Sequence, residues 1–297
     1  MEKHNKIFWK KGLDITPEIF AGSDNYHIAE RSLLGRFFAF RLYGIFPGKN
    51  FYIRKRIDIN TNTLIIDELE CLAITRDGYV INIQRAAPYN KELSLKEVIG
   101  SELYIVLSVN PYSLSQSDEE ELYVYPEYKL VTKRIEDTIE KGIPVLKIIY
   151  DHEYQYWKID ENYIPPSIAL DSVDLLRQQY LNIKEKINKI IEKLPEEDNV
   201  FIQAMLLKFE FDNYCFQESP QELVLLLQKI CCILKLYLKT AKNIMTLPSI
   251  KRFFEEQYNH NEIGKLLYLG FECLEEIDQK IDEKPVEKPV DIPEIIV

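Results

Sequence analysis

Apolar residues fall at Val173, Leu176, Tyr180, Ile183, Ile187, Ile190 and Leu194, in alternating steps of three and four. This spacing puts them on one stripe of a helix for three heptads, the pattern of a coiled-coil seam. It predicts a helix over about 171–194, ended by Pro195. The next segment, about 198–216, is apolar on nearly every side (Phe201, Met205, Leu206, Phe209, Tyr214), which predicts a buried helix behind the acidic Glu196-Glu197-Asp198. Ser219-Pro220-Gln221-Glu222 is a capping box with Pro at the first helical position, and it opens a helix to about 243. A short helix follows Pro248-Ser249. Ile263, Leu267, Gly270, Leu274, Ile277 and Ile281 return to heptad-like spacing in a last helix, about 261–283. Helices of this length with short connections make a bundle.

Upstream the period changes to two. Phe51, Ile53, Lys55, Ile57 and Ile59 sit at alternate positions, Asn60-Thr61-Asn62-Thr63 reads as a turn, and Leu64 to Ile74 as a partly apolar strand. Asp77-Gly78 is a hairpin signal ahead of Tyr79 to Ile83. Further strands are predicted at 103–109, 122–125, 145–150 and 154–159. Many short strands with spaced turns favour a β-sandwich or barrel. Before them, Asp24 predicts a cap for a short helix through Arg36, and Phe37-Phe38-Ala39-Phe40 reads as buried strand. Tyr163-Ile164-Pro165-Pro166 separates the β half from the helical half. The expected fold class is therefore multidomain β + α: a β-sandwich over 1–166, a helical bundle over 167–283, and a Pro-rich extended tail over 284–297.

A chain of 297 residues, 46% of them hydrophobic, can fill two cores. Its formal charge of −11 argues against binding nucleic acid, whose phosphates need a basic surface. The polar start Met1-Glu2-Lys3-His4-Asn5-Lys6 lacks a secretory h-region, and Leu223 to Leu238 is interrupted by Gln228, Lys229 and Lys235, so no membrane insertion is expected. Five cysteines without a CxxC pair suit a reducing compartment. These features predict a cytoplasmic protein.

Candidate chemistry is sparse. His4, His27, His152 and His260 are scattered, and His27 with Glu30 makes at most one helix-face pair. No GxSxG, P-loop or GxGxxG is present, and only 10 glycines are available for phosphate-cradling loops. Asp118 to Glu121 are consecutive acids without the spacing of a cation cage. Arg54-Lys55-Arg56 is a compact basic cluster read as an exposed strand face. No catalytic residue, metal site or cofactor is expected, and an enzyme is not the favoured reading.

The N-terminal run Trp9-Lys10-Lys11-Gly12-Leu13-Asp14-Ile15-Thr16-Pro17-Glu18-Ile19-Phe20, followed by Asp24 and Tyr26, resembles the opening signature of the TssK family, the type VI secretion baseplate subunits. Tyr43-Gly44 stands where that family has Trp-Gly, and Arg76-Asp77-Gly78 where it has Pro-Asp-Gly. Tyr163-Ile164-Pro165-Pro166 is similar to its [FY]-I-P-P, and Pro220-Gln221-Glu222-Leu223 to the start of its third stem helix. The resemblance implies a β-sandwich shoulder akin to phage receptor-binding proteins and a helical neck that trimerises. It implies docking onto TssF- and TssG-like wedge subunits at the inner face of the inner membrane. The family's C-terminal head, which contacts the membrane complex, has no counterpart after the helices, so a head-less form is expected, with a membrane-complex contact passing to the tail or the neck. A phage-tail-like receptor-binding protein for a surface carbohydrate or protein is the alternative.

On this reading Trp9, Gly12, Leu13, Pro17 and Phe20 are the candidate baseplate contact, although the same residues could instead close the end of the sandwich. Ile164, Pro165 and Pro166 are the candidate hinge, stiffened by the prolines. Val173, Leu176, Tyr180, Ile183, Ile187, Ile190 and Leu194 are the candidate trimer seam, with Ile at the core positions favouring more than two strands; a purely intrachain stripe is the competing reading.

Overall fold

The computed structural model describes residues 6–39, 42–83, 88–96, 100–116, 124–214, 218–244 and 246–283. The chain forms two compact units. The first comprises residues 1–177 with two later insertions, 216–220 and 259–264; the second holds 178–215, 221–258 and 265–297.

The first unit begins with helix α1 (Pro17–Ala39). It starts earlier than Asp24 because Thr16 already caps it. The Thr16 carbonyl accepts from Ile19 N at 3.1 Å and Phe20 N at 3.2 Å, and Pro17 takes the first helical position, where no N–H is needed. The helix also takes in Phe37 and continues to Ala39, so the predicted strand there is not formed; Phe40 lies outside the described residues.

Among the described residues, nine strands follow in two antiparallel sheets. In the first, β3 (Thr63–Ile74) is the hub. Its one side pairs with β2 (Phe51–Asp58) and then β1 (Gly44–Ile45), its other side with β5 (Glu92–Ser94) and β4 (Val80–Ile83). The buried residues of β3 change parity, Leu64 and Ile66 and then Leu69, Cys71 and Ala73. A bulge explains this: Arg54 opposes Glu68 while Lys55 opposes Ile66, so Asp67 is the extra residue and the inward face switches.

The second sheet runs β7 (Val124–Arg134), β6 (Glu102–Gln116), β8 (Gly142–Asp151), β9 (Tyr156–Ile159). The same device recurs in β8, where Val145 is skipped in the pairing and burial passes from Ile143 and Val145 to Leu146 and Ile148. Strand β6 is buried on both faces from Leu103 to Leu107. One face, extended by Tyr128 opposite Val109, meets the first sheet: the Tyr128 hydroxyl donates to the Asn82 carbonyl at 3.2 Å. Sequence alternation located most of these strands, but not the two- and three-residue β1 and β5.

The second unit is a helical bundle of α2 (Asp174–Ile191, from Gln178 onward), α3 (Asn199–Asp212), α4 (Pro220–Lys242, from Gln221), α5 (Pro248–Glu255) and α6 (Ile263–Asp282, from Lys265). Asp198 caps α3 by accepting from Val200 N at 2.8 Å. Gly270 lets α6 approach α4 and α5: a Cβ there would lie 2.3 Å from Leu227 Cδ2 and 3.1 Å from Phe253 Cζ. Lys186 of α2 and Lys193, in the turn that follows it, both donate to Asp278 of α6, at 2.8 and 2.7 Å.

Helix α3 departs from expectation. Only Val200, Ala204 and Phe211 are buried, while Ile202, Met205, Leu206 and Phe209 face outward. A helix that is apolar all round needs cover on every side, and a single chain covers just one.

Candidate functional site and docking surfaces

The N-terminal arm bends where Leu13 N donates to the Lys10 carbonyl at 3.2 Å, with Gly12 at φ +83°. The bend folds Trp9 back toward Phe20, their ring centroids 6.3 Å apart. Both rings stay about half exposed, at 50% and 55%, and Leu13 is partly covered. Pro17 opens the helix that carries Phe20. The arm thus carries an aromatic pair with about half of each ring exposed.

Helix α1 is fixed at its other end by backbone. Gly35 packs on the β3–β4 turn so closely that a Cβ would sit 2.4 Å from the Gly78 carbonyl oxygen. Gly78 itself has φ +81°, as the predicted hairpin requires. Arg36 donates to Asp77 at 2.8 Å across the same contact. Beyond it Leu33, Leu34 and Phe37 point into solvent, Phe37 at 79% exposure.

Ile164, Pro165 and Pro166 are buried and clamped within the first unit. The Pro166 carbonyl accepts from Ile45 N at 2.8 Å, the Ile45 carbonyl accepts from Ile168 N at 3.0 Å, and Ile45 and Ser167 form a parallel bridge. Gly44 is required here, since at φ +122° a Cβ would lie 2.2 Å from the Pro166 oxygen. The later segment 259–264 completes the clamp. Gly264 packs on Ile164, the Tyr43 hydroxyl donates to Asn261 at 2.9 Å, and His260 Nε2 lies 2.6 Å from the Tyr43 carbonyl.

The same segment brings Glu262 onto β6. It accepts from the Tyr104 hydroxyl at 2.6 Å and lies 3.4 Å from Lys147, which also pairs with Glu102 at 2.9 Å. Burial, then the Glu262 hydrogen bond and charge, push the Tyr104 hydroxyl far up. Burial pulls the Lys147 ammonium down, but the Glu102 and Glu262 carboxylates outweigh it and hold it above its usual value. Burial raises Tyr43 to about 12 and lowers His260 to about 4. This network is structural cement, with no nucleophile or open position. Its members 217 and 218 residues apart in sequence leave no local signal beyond the polar run Asn259-His260-Asn261-Glu262.

The expected trimer seam is spent inside its own chain. Val173, Leu176, Tyr180, Ile183, Ile187, Ile190 and Leu194 are all buried, the most exposed at 8%. Tyr180 stacks on Phe211 with centroids 5.1 Å apart and donates to the Phe211 carbonyl at 2.9 Å. The open stripe of the bundle is instead on α3, where Ile202, Met205, Leu206 and Phe209 follow the helical steps of three and four, with Leu206 at 66% and Phe209 at 70% exposure. Period alone could have found this row; its exposure could not be read from period.

The remaining candidates resolve into ordinary contacts. His27 and Glu30 pair at 3.5 Å on the surface. Arg54, Lys55 and Arg56 each meet a carboxylate, Glu68 at 2.9 Å, Glu161 at 3.2 Å and Asp67 at 3.5 Å. Asp118 to Glu121 and the tail 284–297 lie outside the described residues. Among the described residues no group of three or more metal-ligating side chains converges, and no helix is long and apolar enough to cross a membrane.

No protein-family model matches the sequence, and no curated protein matches it either. Solved structures do. The TssK–TssF–TssG baseplate subcomplex of the type VI secretion system, seen by cryo-electron microscopy, contains a chain that aligns over 94% of this one and 99% of its own length, with a TM-score of 0.64 and 14% identity. TssK from the EAEC type VI system, in complex with a nanobody, aligns over 88% and 99%, with a TM-score of 0.60 and 13% identity. A crystal structure of TssK aligns over 96% of this chain and 71% of its own, with a TM-score of 0.60 and 12% identity. The chain has the TssK fold.

Proposed function

We propose that this chain is a structural, non-enzymatic baseplate subunit of a contractile, type VI-like secretion machine, acting as a homotrimer on the cytoplasmic side of the inner membrane. The observation that carries the trimer is the α3 row Ile202, Met205, Leu206 and Phe209, an apolar stripe left open by its own bundle. A second and third copy would bury these rows against one another, the arrangement that heptad spacing supports. Wedge partners akin to TssF and TssG would seat on the first unit, against the Trp9–Phe20 pair and the exposed Leu33 and Leu34 of α1. Large aromatics held on a short, glycine-bent arm are the residue types that dominate such contacts. The subunit would then link the wedge to the envelope anchor.

Light scattering tests the reading. Wild type is expected at three times the 35.1 kDa of one chain. Leu206→Asp/Phe209→Asp is expected at the mass of one chain with unchanged far-UV circular dichroism, because both side chains already face solvent in the single chain. A wild-type monomer at micromolar concentration, or a double variant that keeps the trimer mass, overturns the α3 interface.

A further inference from the structure

A cavity opens where loops of both sheets of the first unit meet. It holds about 270 Å³, and its polar lining is Asn62, Lys96, Tyr150, His152, Gln155 and Trp157. Asn62 stands in the β2–β3 turn and Lys96 follows β5, both of the first sheet; the other four belong to the β8–β9 hairpin of the second. Backbone fixes these segments. Leu95 N donates to the Asn62 carbonyl at 2.9 Å, and Tyr150 N donates to the Ser101 carbonyl at 2.7 Å. Asn62 and Gln155 close their turns at φ +52° and +55°. Tyr150 stands opposite Trp157 in the ladder, and its ring meets Trp157 and His152 edge-on, with centroids 5.2 Å apart in each pair.

The six polar side chains are all available. Among the described residues none of them makes a side-chain hydrogen bond or an ion pair within the protein. Trp157 is only 2% exposed, yet its indole N–H, which can only donate, has no acceptor there. The Lys96 ammonium also can only donate. No carboxylate lines the cavity among the described residues. The acids of the flanking turns are engaged elsewhere. Asp58 accepts from Asn60 N at 2.9 Å, and Asp151 from Glu153 N at 3.1 Å and from the Lys158 ammonium at 2.9 Å. In a chain of formal charge −11 this is a local pocket of donors.

We propose that the cavity binds a phosphoryl group, free or on a small monoester, whose oxygens accept from Lys96, the Trp157 indole and the Asn62 and Gln155 amides. Three terminal oxygens on a tetrahedron suit donors that arrive from separate segments, whereas a carboxylate presents two oxygens in one plane. The space is smaller than the roughly 300–1,000 Å³ of pockets for drug-sized ligands, so it suits a compact group with a short substituent. Leu95 and Trp157, 1% and 2% exposed, offer little apolar surface, so binding rests on hydrogen bonds and charge. A bound phosphoryl group would join loops of the two sheets. The site is independent of the α3 row and of the wedge contact.

The chain has two tryptophans, so a Trp9→Phe background leaves Trp157 as the sole indole N–H signal in nitrogen–proton correlation spectra. Titration with glycerol phosphate or inorganic phosphate at constant ionic strength is expected to move that signal saturably, half-way at about 1 mM or below for the tighter of the two. The tighter ligand identifies the source, a monoester or the free ion. Glycerol and acetate should leave the signal in place. Lys96→Gln should raise the half-saturation at least about tenfold with unchanged circular dichroism, through loss of a charge-assisted contact. An indole signal that neither phosphate moves overturns the proposal. So does acetate acting as well as phosphate, or a Lys96→Gln variant that binds like its parent.

Discussion

His260 offers a quantitative test of the clamp around Tyr43. The ring is 7% exposed, and its Nε2 meets a carbonyl, which can only accept, so Nε2 carries the proton of the neutral ring. A second proton would place a charge in the buried site. Burial lowers the histidine to about 4, against the opposing pull of the Tyr43 carbonyl bond, while an unfolded histidine sits near 6.5. Between these values the unfolded chain binds more protons than the folded one. The stabilisation from keeping His260 neutral is therefore complete above about pH 6.5 and is lost as pH falls toward 4. A gap of about two pH units is worth about 3 kcal/mol, most of which is gone at pH 4.5. Carboxylates titrate in part of the same window, so the comparison is with His260→Gln, which keeps an N–H donor and cannot ionise. Urea unfolding at pH 7.5 and 4.5, followed through the fluorescence of buried Trp157 in a Trp9→Phe background, measures the difference. Wild type should lose about 2–3 kcal/mol more than the variant. Profiles that run parallel to within about 0.5 kcal/mol would refute the buried neutral histidine.

Other substitutions probe the same unit and its surface. Gly44→Ala should cost about 3 kcal/mol or more in thermal or urea unfolding, because the new Cβ meets the Pro166 carbonyl oxygen at a positive φ. Tyr104 and Tyr163, with ring centroids 5.8 Å apart, should respond in opposite directions. Tyr104→Phe removes the 2.6 Å bond to Glu262 and should destabilise by about 1–3 kcal/mol. Tyr163→Phe removes a buried hydroxyl with no partner among the described residues and should be neutral or stabilising by about 1 kcal/mol in the same assay. Trp9→Ala should weaken co-purification with TssF- and TssG-like subunits at least about tenfold while leaving the melting temperature unchanged; undiminished binding would remove the aromatic pair from the wedge contact.

The sequence by itself determined the kinds of element and most of their places. Heptad spacing from Val173 to Leu194 and from Ile263 to Ile281, the cap at Ser219–Glu222, the alternation from Phe51, and the Asp77-Gly78 turn are all local rules of backbone and side-chain period. They hold whatever the chain later packs against. Tertiary structure alone decided what covers each stripe. The α2 row reads like an intermolecular seam, yet it is buried within one chain. Helix α3 reads as buried, yet half of it is bare. Period reports that a face is apolar, and the hydrophobic effect, being non-directional, does not say whose surface will cover it. Parity switches at Asp67 and Val145 depend on the partner strand, and the clamp of Tyr43, Ile164 and His260 depends on contacts far apart along the chain. Those choices rest on the long-range packing of particular side chains, which no local pattern encodes.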